Sequence, residues 1–308
     1  MPELPEVEVV RAGLEPAVTG ATIDAVTVFE ERSLRRHDGP SEDFVERLAG
    51  RDILAVVRRG KFLWLPLSAS PASPPVSGWG EALVVHLGMS GQVLLRDVSQ
   101  ADDSLLRIRL DIASPAHGPL RVDFVDQRIF GSMAIDRFVP TPDGHAAGFG
   151  SDAALIPSQV AHIARDPLDP AFSDRRFFDA LARRRTGIKR ALLDQGLISG
   201  IGNIYADEAL WAARIHYNQP TATLTRARAR TLLAEVRLVL GRALAEGGTS
   251  FDAQYVNVNG ASGYFSRSLN AYGQHGKSCP RCGRPIVRES FMNRGSHFCP
   301  FCQRIRAA

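Results

Sequence analysis

The chain is short of lysine, of cysteine and of long apolar runs. Of its 308 residues 37 are basic, but only Lys61, Lys189 and Lys277 are lysines, the other 34 being arginines. Arginine is a permanently charged rigid fork, whereas a lysine amine can shift its pKa. Each lysine that survives such a bias is therefore a candidate for chemistry or contact that arginine cannot supply. No stretch is long and apolar enough to span a bilayer. The N-terminus, Met-Pro-Glu-Leu-Pro-Glu, is acidic where a secretory signal would be basic and then apolar. Cysteine is absent outside the last thirty residues, which argues against an oxidising compartment and a disulfide framework. A soluble, cytoplasmic protein is expected. With 44% hydrophobic and 23% charged residues, the chain can bury two ordinary cores plus a small appendage.

The four cysteines that are present form Cys279-x-x-Cys282 and Cys299-x-x-Cys302, sixteen residues apart. Each CxxC turn brings two thiolates to one side of a tight loop, and two turns complete the tetrahedral four-sulfur shell of a structural zinc ion. A pair of disulfides or a redox CxxC is the alternative. The cysteine-free body and the lack of a βαβ context favour the metal. From His275 to Ala308, seven basic residues (Lys277, Arg281, Arg284, Arg288, Arg294, Arg304 and Arg306) face one acid, Glu289, so this segment is +6 in a chain that is +4 overall. Such charge on a small rigid module, with Phe291, Phe298 and Phe301 interleaved, suggests a surface for a phosphate backbone.

The rest of the chain divides by pattern. Apolar Val7, Val10, Leu14 and Val18 recur at helical spacing from Pro5 to Val18. Short apolar or alternating runs bounded by Gly, Pro or Asp then predict strands at Thr22–Val28, Asp52–Val57, Phe62–Leu67, Ala82–Leu87, Gln92–Arg96, Leu105–Ile112 and Leu120–Val125, with a short helix at Ser41–Gly50. So many short strands imply a sandwich or barrel. The Pro/Ser/Gly stretch Ser68–Gly80 reads as a hairpin loop. Beyond Pro142 the strands are expected to stop, and Asp174–Arg185, Ile188–Gln195, Asn203–Ala213 and Arg226–Glu246 read as helices. Gly247–Gly276, rich in Gly, Ser, Asn and Tyr, reads as a long loop that is either functional or disordered. The expected domains are 1–140, 141–269 and 270–308.

Two short segments carry candidate chemistry. In Gly200-Ile201-Gly202-Asn203 a helix is expected to begin with Asn203 as its cap. Its first N–H groups, unobstructed by side chains, offer a site for an anion. Such a turn is often a plain connection, but Arg183, Arg184 and Arg185 upstream and the basic cysteine module downstream favour DNA phosphate. At the start, removal of the initiator methionine would leave Pro2 as a free secondary amine. An α-amino group has a pKa near 8 and is a usable nucleophile at neutral pH. A secondary amine attacking an aldehyde-level carbon gives a cationic iminium, an electron sink for elimination, and Glu3 could serve as acid or base.

MPELPEVE at the start, RRGK at Arg58–Lys61, HLGMSG at His86–Gly91, DQRIFG at Asp126–Gly131, GIGNIYADEAL at Gly200–Leu210, GYFSRSLNAYG at Gly263–Gly273 and NRGSHFCPFCQ at Asn293–Gln303 together resemble bacterial formamidopyrimidine-DNA glycosylases, nearly end to end and in family order. The resemblance implies an α+β multidomain fold: an N-terminal β-sandwich with flanking helices, a helix-two-turn-helix domain and a C-terminal four-cysteine zinc finger. It also implies excision of 8-oxoguanine and formamidopyrimidines from duplex DNA in base excision repair, by a monomer, followed by β,δ-elimination. The lesion must be flipped out of the stack to be reached. By the same resemblance Pro2 would attack C1′ to form a Schiff base, Glu3 would assist ring opening, Lys61 would contact phosphate and donate a proton in β-elimination, and Arg294 would hold flanking phosphates and serve δ-elimination. Arg185, Lys189 and Asn203 fall on DNA-contacting positions, and Met89, Arg128 and Phe130 on those that fill the gap left by the flipped nucleotide. Apolar core packing is the competing role for Met89 and Phe130. Cys279, Cys282, Cys299 and Cys302 would hold one structural zinc.

Three places depart from the family pattern. Asp103–Leu105 stands where many members have His-x-His, Gln127 and Ile129 replace the commoner Pro and Arg of the gap-filling loop, and the stretch after Leu67 looks like an insertion. Two other readings remain at this point. One is the related endonuclease VIII group, whose members typically begin Pro-Glu-Gly-Pro-Glu and remove oxidised pyrimidines. The other is a non-catalytic DNA-binding zinc protein, which would need neither a free Pro2 nor Lys61.

Overall fold

The computed structural model describes residues 2–70, 78–248, 258 and 268–306. The Ser68–Gly80 stretch and the Gly247–Gly276 loop lie largely outside them. By its contacts the chain divides into two units. One comprises Glu6–His162 with Pro2 and Val258; the other comprises Ile163–Gly248, residues 268–306, and the short segment Glu3–Pro5.

The first unit is a β-sandwich of antiparallel sheets. One sheet has the order β1 (Thr22–Val28), β6 (Leu106–Ser114), β7 (Gly118–Asp126), β5 (Gly91–Asp97); the other has β2 (Val57–Arg59), β3 (Phe62–Pro66), β4 (Glu81–His86), β8 (Ser132–Pro140), β9 (Leu155–Pro157). Period-two alternation put side chains on opposite faces, and β6 shows it: Leu106, Ile108, Leu110 and Ile112 are buried while Arg107, Arg109 and Asp111 are only partly covered. The core combines both sheets with helix α1 (Leu4–Val18), whose Val7, Val10, Leu14 and Val18 cluster with Leu63, Leu83, Ile108, Val122, Phe124 and Ile135. Helix α2 (Ser41–Leu48) adds Phe44 and Leu48.

Two strand expectations fail here. Asp52–Val57 is not a continuous strand: Asp52 and Ile53 make isolated bridges to Thr22 and Leu67, and regular pairing starts only at Val57. Ile53 and Val56 are fully buried, so the apolar run reflects burial without a ladder. Strands also continue past Pro142, because β9 pairs with the end of β8, Val139 opposite Ile156.

The second unit is built on α3 (Asp174–Ala182), α4 (Ile188–Leu193), α5 (Asn203–Ala212) and α6 (Arg226–Ala245), with a hairpin of β10 (Val287–Phe291) and β11 (Arg294–Phe298). Ser173 and Thr225 accept hydrogen bonds from Arg176 N and Arg228 N and so cap α3 and α6. Every residue of α5 from Asn203 to Leu210 is buried. Its apolar side chains join Leu4, Phe177, Leu192, Leu232, Val236, Leu240 and Phe298 in one core. A helix enclosed on all sides has to satisfy its own polar groups inside the protein, and those of α5 organise the site.

Candidate functional site

The N-terminus of α5 is occupied by an anion from the chain itself. Glu3 is buried, and its carboxylate accepts hydrogen bonds from the backbone N–H groups of Gly202 at 2.5 Å, Ile204 at 2.9 Å and Tyr205 at 3.4 Å. Free N–H groups and the helix dipole favour negative charge there. The sequence assigned this turn to DNA phosphate; the structure corrects that, since the carboxylate 199 residues upstream of Gly202 fills it. Asn203 is not the cap either. Gly202 holds the cap position without a side-chain bond, and Asn203 Nδ2 donates instead to Gly295 O at 3.1 Å. The glycine at 202 is required by contact: a Cβ there would lie 2.4 Å from Glu3 Cδ and 2.5 Å from its Oε1. Leu4 N donates to Gly200 O at 2.9 Å. The residue next to Pro2 is thus fixed on both its side-chain and its C-terminal side.

One helical turn on, Asp207 anchors the hairpin that carries Arg294. Lys189, fully buried, places Nζ 2.6 Å from Asp207 Oδ1 and donates to Ser296 Oγ at 3.1 Å, with its ammonium 4.9 Å from the centre of the Phe291 ring. Asp207 also accepts from Ser296 Oγ at 3.0 Å and His297 N at 2.8 Å. Burial pulls the Lys189 pKa down, against the opposing pull of Asp207 and of Glu3, while Arg294 adds to the lowering. Lys189 and Asn203, expected as DNA contacts, therefore turn inward and hold β11. Arg185, in the connection between α3 and α4, is exposed. The next acid, Glu208, accepts from the backbone N–H groups of Asn270, Ala271 and Tyr272 at 2.8–3.0 Å; burial nonetheless raises its pKa. Asp207 and Glu208 were missed from sequence. Their signal was the adjacent acidic pair inside an otherwise apolar helix.

Arg294 opens β11 after a two-residue turn in which Met292 and Asn293 both have positive φ, 46° and 60°. That is the type I′ geometry whose twist suits a hairpin, and it leaves Arg294 exposed at the base of the turn. Beyond the other end of β11 the four cysteine sulfurs all lie within 4.8 Å of one another. A zinc ion with Zn–S of about 2.3 Å in a tetrahedron would set them about 3.8 Å apart, so the donor set fits the metal. None of the four is in a disulfide, and the Cys282 and Cys299 sulfurs stand 3.5 Å apart, beyond bonding distance. Trp211 Nε1 donates to Cys279 Sγ at 3.4 Å, with Arg281 stacked on its indole. The hairpin is held at both ends.

In the sandwich unit, Lys61 sits half-buried at the tip of the β2–β3 hairpin, after Gly60 at φ 56°. Arg58 is the strut beneath: fully buried, it donates to Glu8 Oε2 at 2.6 Å and to Gly60 O at 3.2 Å, and Arg11 holds the other Glu8 oxygen at 2.8 Å. His86, at the end of β4, is pushed down to about 4 by burial first and then by Arg36, Lys61 and Arg35. Its Nδ1 accepts from Gly88 N at 3.2 Å, as a neutral imidazole can. Met89 lies half-buried in the β4–β5 loop, and Arg128 and Phe130 are exposed in the β7–β8 loop, Phe130 by 50%. That exposure removes core packing as the role of Phe130. The two loops touch through Gly88, where a Cβ would come within 2.3 Å of the Phe130 carbonyl. Asp103, in the family's His-x-His place, closes its own turn by accepting from Leu105 N at 2.8 Å.

Known proteins resemble this chain over nearly its whole length. Family profiles match residues 1–133 (formamidopyrimidine-DNA glycosylase N-terminal domain), 163–254 (the family's H2TH domain) and 276–305 (a zinc finger found in FPG and IleRS). The formamidopyrimidine-DNA glycosylase of Leifsonia xyli is 69% identical over 99% of this chain and 100% of that protein. Among solved structures, Lactococcus lactis Fpg with abasic-site DNA superposes with TM-score 0.77 at 28% identity, covering 98% of this chain and 99% of that one. The wild-type Fpg with N7-benzyl-Fapy-dG DNA superposes with TM-score 0.79 at the same identity and coverage.

Proposed function

The chain belongs to the formamidopyrimidine-DNA glycosylases, zinc-finger enzymes of DNA repair with glycosylase and AP lyase activity, and on that premise we propose that it removes 8-oxoguanine and formamidopyrimidines from duplex DNA through a covalent intermediate on Pro2. The Pro2 nitrogen, free once Met1 is gone, attacks C1′; the C1′–N bond to the base breaks, and the base leaves with a proton. Ring opening at O4′ gives the iminium. Loss of a C2′ proton then expels the 3′ phosphate by β-elimination, and a second elimination expels the 5′ phosphate. A secondary amine suits this route because its adduct has to be the cationic iminium.

The observation that carries the reading is the Glu3 carboxylate held by three N–H donors at the N-terminus of α5. It fixes an acid–base group beside the nucleophile in the chain, on the helix that also anchors the Arg294 hairpin through Asp207. Glu3 handles the proton at the sugar ring. Lys61 contacts phosphate and donates in β-elimination, and Arg294 and Arg185 hold phosphates. Met89, Arg128 and Phe130 fill the vacated stack, offsetting part of the few kcal/mol that extrusion costs. Zinc on Cys279, Cys282, Cys299 and Cys302 shapes the hairpin and takes no part in bond making. The enzyme works as a monomer on damaged duplex in the cytoplasm. Comparing protein with a free Pro2 against protein extended by one residue before it tests the assignment: the extension should abolish strand cleavage at 8-oxoguanine, and cleavage at the normal rate would refute it.

A further inference from the structure

The Arg128–Phe130 segment has an unusual backbone. Ile129 stands at φ 55°, a left-handed conformation that β-branched residues rarely adopt. Ile129 also replaces the arginine commoner in the family. The surroundings therefore have to hold this turn. On one side is Asp126, buried, which accepts from Ser90 Oγ at 2.5 Å, Arg128 N at 3.1 Å and Gly131 N at 2.6 Å. On the other side is Arg35. Its Nη1 donates to Ile129 O at 3.1 Å and Gly131 O at 2.7 Å, and its Nη2 donates to Phe130 O.

Three consecutive carbonyls thus converge on one guanidinium. Their like dipoles repel one another unless a cation sits between them, and only a planar fork with several N–H donors reaches all three; an ammonium is a point charge with another geometry. Arg35 is itself set in place, as the residue closing the 3₁₀ turn Glu31–Leu34, whose Leu34 is buried. Phe130 projects half-exposed from the clamped backbone, so its direction is set by the carbonyls behind it.

We propose that Arg35 is a positioning residue that preforms the Arg128–Phe130 wedge before DNA is met, an inference that rests on the gap-filling role proposed for that loop. A loop ordered in advance does not spend binding energy on ordering when it inserts. Arg35→Ala should slow excision of 8-oxoguanine by roughly fivefold to twentyfold and affect cleavage of a preformed abasic site much less. Arg35→Lys should not restore excision, and in an Arg128→Ala/Phe130→Ala background Arg35→Ala should cost nothing more, because there is then no wedge to aim. Should Arg35→Ala fail to fold, Arg35→Gln carries the same expectations. Rescue by lysine, an equal loss on abasic DNA, or losses that multiply with the Arg128→Ala/Phe130→Ala pair would each overturn the proposal in favour of a direct phosphate contact. Phe130→Ala alone tests the underlying reading. An equal loss on both substrates removes the wedge and Arg35's role with it. A lesion-selective Phe130→Ala beside an indifferent Arg35→Ala removes the positioning role only.

Discussion

Replacing Gly202 by alanine tests how the N-terminus is held. The backbone at Gly202, φ −127° and ψ −156°, is extended and open to any residue, so the change acts through contact alone. The new Cβ would lie 2.4 Å from Glu3 Cδ, where carbon atoms settle at about 3.5 Å, so the carboxylate has to retreat by roughly 1 Å. At that displacement the bonds to Gly202 N and Ile204 N, 2.5 and 2.9 Å long, lengthen or break, and each bond to a charged group is worth about 1.5–3 kcal/mol. A 1 Å misplacement of a catalytic group can cost about a hundredfold in rate. Single-turnover excision of 8-oxoguanine should fall by about that much in Gly202→Ala. In a Glu3→Ala background, with no side chain to displace, the same change should alter the rate by less than about twofold. Wild-type rates in Gly202→Ala, or losses that multiply in the double mutant, would refute the reasoning.

Other expectations follow from the same geometry. Arg128→Ala or Phe130→Ala should slow excision of 8-oxoguanine roughly tenfold to a hundredfold, about 1.4–2.7 kcal/mol, yet come much closer to wild type on a preformed abasic duplex; equal losses would show that these residues support the fold or the chemistry. The protein should contain about one zinc per chain by elemental analysis, and Cys299→Ser should lose DNA affinity in a binding titration by releasing the end of β11. Unimpaired binding by metal-free protein would contradict this. His86 takes up a proton near pH 6.5 in the unfolded chain and only near 4 when folded. Its contribution to stability is therefore full above about pH 6.5 and is lost as pH falls toward 4, by roughly 3 kcal/mol at most. Urea midpoints should drop more steeply between pH 7 and 4.5 in wild type than in His86→Gln, and parallel curves would exclude the effect.

Sequence pattern was informative where one physical cause dominates. The alternation in β6 and the helical spacing of α1 come from a single buried face, and the cysteine spacing from a single coordination shell. It failed where two causes give the same pattern. Ile53 and Val56 are apolar because they are buried, which a strand would also require. Gly200-x-Gly202 marks a helix N-terminus awaiting an anion, but nothing local distinguishes a DNA phosphate from a carboxylate 199 residues away. Lys189 stood out through scarcity, yet its partner Asp207 is brought to it by the packing of α4 on α5, so an outward contact and a buried ion pair could not be told apart. Arg35 carried no signal at all, since its partners are backbone carbonyls 94 to 96 residues on.

The central claim is that the Pro2 nitrogen, set beside a Glu3 carboxylate anchored on α5, bonds covalently to C1′ of the lesion. Borohydride reduction during turnover on a duplex with 8-oxoguanine opposite cytosine, followed by peptide mapping of the trapped complex by mass spectrometry, measures this directly. The account predicts one DNA adduct on the N-terminal peptide, located at Pro2 and absent when the amine is blocked. An adduct on Lys61 or Lys189, or trapping that survives a blocked N-terminus, would contradict it.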